Sequence, residues 1–88
     1  LDRPVASIAV SGDTLLVHVR EGRTGEGMRS TDGGQTWQRL DYDVLGTEPW
    51  VLVFAFDPND DQHVFAGRYG GVVYESMDAG ATWTRIIG

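Results

Sequence analysis

Eighty-eight residues, 41% hydrophobic and 23% charged, make one small domain or two supersecondary units of about 44 residues each, and exclude a disordered chain. The formal charge of −6 comes from 13 acidic and 7 basic residues spread along the chain, a surface that repels phosphate backbones and excludes nucleic acid as a partner. Cysteine is absent, which excludes disulfides and thiolate metal sites, and no apolar run nears the roughly 18 residues that cross a bilayer, so no membrane partner is expected.

Strands are marked by β-branched and aromatic runs between turn residues. In chain order they fall at Val5–Val10, Thr14–Arg20, Gly27–Ser30 and Thr36–Leu40, then Trp50–Phe56, His63–Arg68, Val72–Ser76 and Thr82–Ile87. Ser11-Gly12-Asp13 and Asp57-Pro58-Asn59-Asp60 read as hairpin turns. No stretch has helical periodicity. The chain opens at Leu1 rather than Met, so an upstream segment is expected.

The eight strands form two units. Ser30-Thr31-Asp32-Gly33-Gly34-Gln35-Thr36-Trp37 returns 46 positions later as Ser76-Met77-Asp78-Ala79-Gly80-Ala81-Thr82-Trp83. The shared frame is Ser-x-Asp-x-Gly-x-Thr-Trp, with Arg39 and Arg85 following at equal spacing. Ile8-Ala9-Val10 aligns with Phe54-Ala55-Phe56 at the same offset, whereas Arg20 aligns with Arg68 at an offset of 48, which places two extra residues in the second hairpin turn. Repeats of this length belong to stacked architectures. Val51-Leu52-Val53-Phe54-Ala55-Phe56 barely alternates, so that strand is covered on both faces. Two four-stranded antiparallel sheets stacked as blades of a β-propeller, residues 1–44 and 45–88, satisfy this; a two-sheet sandwich is the competing fold.

The repeated octapeptide resembles the Asp-box, or BNR repeat, of sialidases and other glycoside hydrolases, sortilin-like receptors and photosystem II assembly-factor-like propellers. That resemblance implies an all-β propeller whose single copy here is incomplete, and an extracytoplasmic location. It also implies that ligands bind at the end of the blades opposite the repeated turn. Asp32 and Asp78 are expected to accept backbone N–H bonds, and Trp37 and Trp83 to pack beneath the turn. Ser30, Thr36, Ser76 and Thr82 complete the two turns. Gly34 and Gly80 are expected at positive φ; Gly33 aligns with Ala79, so that position is expected to need no such freedom.

The loop end opposite these turns offers Arg20, Arg23, Tyr42, Asp43, Glu48, Trp50, Arg68 and Tyr69 as a candidate ligand face for a protein or a glycan. A glycosidase needs two carboxyl groups about 5–10 Å apart, and Asp41, Asp43 and Glu48 qualify by residue type alone. His18 and His63 fall in different units, too few for a zinc site, and Asp57-x-Asn59-x-Asp61 lacks the Gly and Glu of a calcium loop, so no metal or cofactor is expected. Two functions follow. One is a binding and interaction scaffold that assembles with further blades, three or four copies if the chain acts alone. The other is a segment of a secreted glycoside hydrolase with its catalytic acids mostly on other blades. The scaffold is preferred, because no nucleophile or acid stands out here.

Overall fold

The computed structural model describes residues 4–21, 24–40, 45, 52–68 and 70–88. They form two four-stranded antiparallel meanders in the order β1-β2-β3-β4 and β5-β6-β7-β8. Sheet one consists of β1 (Val5–Ser11), β2 (Thr14–Glu21), β3 (Thr24–Ser30) and β4 (Gln38–Arg39). Sheet two consists of β5 (Leu52–Asp57), β6 (Asp60–Arg68), β7 (Val72–Ser76) and β8 (Thr84–Ile87). Local chemistry sets the hairpins. Gly12, at φ +59°, turns β1 into β2, and the Asp57 carboxylate accepts the Asn59 N–H at 2.8 Å to close the turn into β6.

Side chains alternate across each strand, so register decides which face each residue takes. Ser7 pairs with His18, Ala9 with Leu16, and Leu16 with Arg29, which puts these residues on one face of sheet one, its front. Ile8, Val10, Leu15, Val17 and Met28 lie on its back. In sheet two, Phe54 pairs with Ala66, Phe56 with Val64, and Ala66 with Tyr74, all on the back. Val53, Ala55, Phe65 and Glu75 lie on its front.

The front of sheet one packs on the back of sheet two. Leu16, Leu40 and Leu45 meet Leu52, Phe54, Val64, Ala66, Tyr74 and Trp83 in one buried cluster, with Ala9, Phe56 and Val72 packed against it. Ser7 donates from Oγ to the carbonyl of Leu52, and Arg29 Nε donates to the carbonyl of Ala79 at 2.9 Å. A sandwich built by two-fold symmetry would join like faces. Here a front meets a back, so the second sheet repeats the first by rotation, as blades of a propeller do. The wheel is not closed. Val5, Ile8 and Val10 on the back of sheet one, and Val53 on the front of sheet two, remain exposed.

Register corrects one alignment. Ser30 and Ser76 are 46 positions apart, yet their partners Leu15 and Val64 are 49 apart. The second hairpin is therefore three residues longer than the first, not two. Arg68 consequently stands where sheet one has Val19, and Arg20 and Arg68 are not equivalent. Arg20 shares the front of sheet one with His18, while Arg68 pairs with Leu52 on the back of sheet two, so the two arginines line opposite walls of the same seam. Of the proposed boundary between the units, residues 41–44 and 46–51 lie outside the described residues.

Candidate functional site

The two repeated turns close by the same hydrogen bonds. Ser30 Oγ donates to Asp32 Oδ1 at 2.8 Å and accepts the N–H of Gly34 at 2.9 Å; Ser76 does the same with Asp78 and Gly80 at 2.7 and 2.8 Å. Asp32 accepts the Thr36 N–H at 2.9 Å and its hydroxyl at 2.5 Å, and Asp78 accepts those of Thr82 at 2.9 and 2.6 Å. Trp37 Nε1 donates to the carbonyl of Gly34 and Trp83 Nε1 to that of Gly80, each at 2.9 Å. Each turn is also tied to its own first hairpin, Gly33 N–H to the Asp13 carbonyl and Ala79 N–H to that of Gln62.

This bonding fixes the chemistry of both aspartates. The Thr36 hydroxyl, the Thr36 N–H and the Ser30 hydroxyl hold Asp32 at about 2, well below its ordinary range. Burial works against the charge of Asp78, but the Thr82 hydroxyl and N–H and the Ser76 hydroxyl prevail and hold it at about 2 as well. A general acid must keep its proton near neutral pH, and neither carboxyl does. The residues fold the turn.

The fourth position of the octapeptide departs from expectation. Gly33 has φ +74° and Ala79 φ +59°, so both copies require the left-handed region and Ala79 enters it at a cost of about 1–2 kcal/mol. Its buried side chain offsets part of that strain. Gly34 and Gly80 follow at φ +98° and +93°.

On the front of sheet two, the longer hairpin sets His63 between two carboxylates. Nδ1 lies 3.1 Å from Asp57 and Nε2 lies 2.6 Å from Glu75, while the ring packs 4.6 Å from that of Phe65. The hydrogen bond with Glu75, then that with Asp57, raises the His63 pKa against the pull of burial. No motif links His63 to Asp57 or Glu75; the extra hairpin length was the one sign of this trio. His18 is the opposite case. It lies fully buried at the seam, neither ring nitrogen has a hydrogen-bond partner, and burial followed by the charge of Arg20 lowers its pKa. Among the described residues no three metal-ligating side chains are arranged to hold an ion.

Of the candidate ligand face, register puts Arg20 on the front of sheet one and Arg68 on the back of sheet two. Arg23, Tyr42, Asp43, Glu48, Trp50 and Tyr69 lie outside the described residues. The cross-seam bond of Arg29 had no signal in the sequence at all.

Relatives support the glycoside-hydrolase side of the expectation. Xyloglucanase Xgh74A of Acetivibrio thermocellus is 35% identical over 65 residues, a stretch covering 67% of this chain and 8% of that protein. A xyloglucanase of a Paenibacillus species is 38% identical over 65 residues, covering 67% of this chain and 6% of its own length. The chain thus spans less than a tenth of the curated relatives it matches. No family model matches the chain, and no solved structure matches it.

Proposed function

We propose that this chain supplies two adjacent Asp-box blades to the propeller of a glycoside hydrolase acting on a xyloglucan-type β-glucan. The similarity to two xyloglucanases carries the reading. The repeated turn geometry supports the Asp-box assignment, because the five fixed frame residues of each copy enter hydrogen bonds of matching length. Within the enzyme these blades serve as frame and as one wall of the ligand cleft. Asp32 and Asp78 are committed to turns, and Asp57 and Glu75 to His63, so the catalytic carboxyls lie elsewhere, on the loops bearing Asp43 and Glu48 or on other blades.

Release of reducing sugar from xyloglucan by the full-length polypeptide bearing these blades tests the proposal. Asp78→Ala should lower the melting temperature while leaving turnover per folded molecule unchanged. Failure of the full-length protein to cleave or bind xyloglucan would return the chain to the scaffold reading.

A further inference from the structure

The longer hairpin of sheet two interrupts its own ladder. Phe56 pairs with Val64 but Asp57 with Asp60, so the register shifts between Phe56 and Asp57. His63 spans that break, with Nδ1 3.1 Å from Asp57 at the end of β5 and Nε2 2.6 Å from Glu75 on β7. We propose that His63 is a proton-dependent clasp. As an imidazolium it ties the end of β5 to β7 across the hairpin; on losing its proton it releases Glu75 and loosens the repeated turn that follows.

The geometry calls for a doubly protonated ring. A neutral imidazole has one N–H, and both ring nitrogens here face carboxylate oxygens, which only accept. A neutral ring would therefore set one lone pair against a carboxylate, whereas an imidazolium makes two charge-assisted bonds. The other charged neighbours on the hairpin are also acids. Asp60 accepts the Gln62 N–H at 3.0 Å, and Asp61 lies 3.5 Å from the Gln62 amide nitrogen. On β8 the residue opposite Glu75 is the uncharged Thr84, while Arg85 pairs with Tyr74 on the back of the sheet. When the proton leaves, Asp57 keeps the Nδ1–H, because its carboxylate also accepts the Asn59 N–H and is fixed in the turn. The Glu75 contact is the one that opens.

Release reaches the turn through the next residue along the chain. The Gln62 carbonyl accepts the Ala79 N–H at 2.8 Å, and the Ala79 carbonyl accepts Arg29 Nε across the seam at 2.9 Å. Ala79 is a non-glycine residue at φ +59°, a conformation that persists while its surroundings hold it. Sheet one has no such dependence. There Ser11 pairs directly with Thr14, and Gly33, which takes positive φ freely, donates to the Asp13 carbonyl. The same turn is thus built twice, once with the clasp and once without.

Pulsed hydrogen exchange read by mass spectrometry on the full-length polypeptide bearing these blades tests the clasp, with rates corrected for the chemical effect of pH. The folded pKa of His63 is raised, so the clasp is complete below 6.5 and opens as pH climbs through the raised value. Between about pH 6 and about pH 9, protection of residues 57–65 and 76–82 should fall by up to about tenfold per pH unit above that value, since one proton is linked to opening. Residues 11–17 and 30–36 should show no such fall. Glu75→Gln offers Nε2 an amide donor, which satisfies the neutral ring, so the second turn should stay protected across the whole range. His63→Asn should show the weaker protection at every pH. A flat wild-type profile, an equal fall in both copies of the turn, or a Glu75→Gln variant that still opens with rising pH would each overturn the clasp. The readout is exchange rather than turnover, so the clasp and the xyloglucan reading fail separately.

Discussion

Trp37 and Trp83 occupy the same position in two copies of one turn and donate the same 2.9 Å hydrogen bond, yet only Trp83 has a neighbouring sheet against it. Trp83 is 5% exposed and packs 6.1 Å from Phe54, whereas Trp37 is half-buried on the open back of sheet one. Trp83→Ala removes a buried indole and leaves a cavity, a loss of about 3–5 kcal/mol. Trp37→Ala forfeits the same hydrogen bond, about 1 kcal/mol, but only part of the transfer energy of the ring, for a total of about 1.5–2.5 kcal/mol. The difference, about 2 kcal/mol, is close to thirty-fold in the folded-to-unfolded ratio. With a urea m-value of about 1–1.5 kcal/mol/M for a chain of this size, the midpoints should separate by more than about 1 M. Far-UV circular dichroism follows the transition without relying on the tryptophans being changed. Measurement at low micromolar concentration reports the isolated chain. Equal midpoints for the two variants under dilute conditions would refute the claim that sheet two, rather than the turn itself, supplies the stability at this position.

Three further outcomes are expected. Gly80→Ala, which combines φ +93° with a 2.8 Å approach to Leu16, should destabilise more than Gly34→Ala, where φ is similar and the space is open; thermal melts of the two variants compare them. His18→Leu replaces a buried ring that has no hydrogen-bond partner and should raise stability by about 1–3 kcal/mol at pH 7 in urea titrations, a loss of stability being the contrary result. The two histidines should give opposite pH slopes. The folded pKa of His18 lies below 6.5, so its contribution holds above 6.5 and is lost as pH falls, because the unfolded chain takes up a proton that the buried ring refuses. The folded pKa of His63 lies above 6.5, so its contribution holds below 6.5 and is lost as pH rises through the raised value. Stability-versus-pH curves for His18→Leu and His63→Asn should each lose one of these limbs.

The fold was legible because the octapeptide repeats with its glycines and tryptophans in place, and a turn that bonds through side chains writes its geometry into residue identity. Strand register was less legible. Leu15-Leu16-Val17 is apolar at every position, so the run fits either face, and matching Arg20 to Arg68 by identity placed β6 one residue out of step with β2. A one-residue slip exchanges the two faces of a strand, which is why arginines that look equivalent instead lie on opposite walls of the seam. The same limit applied at Ala79. A side chain there suggested ordinary backbone, but the turn imposes φ +59° regardless, and the cost is small enough for the surrounding bonds to hold. Contacts between units, such as Arg29 to the Ala79 carbonyl, join residues 50 positions apart and leave no local pattern to read.

The internal seam and the open front of sheet two differ in their polar positions. At the internal seam Ser7 and Arg29 each donate to a carbonyl across the interface, and these directed bonds fix one relative placement of the sheets. At the unused front the corresponding residues are Val53, which has no donor, and Glu75, whose carboxylate is already held by His63. The internal seam therefore sets the geometry of the pair of sheets through directed hydrogen bonds.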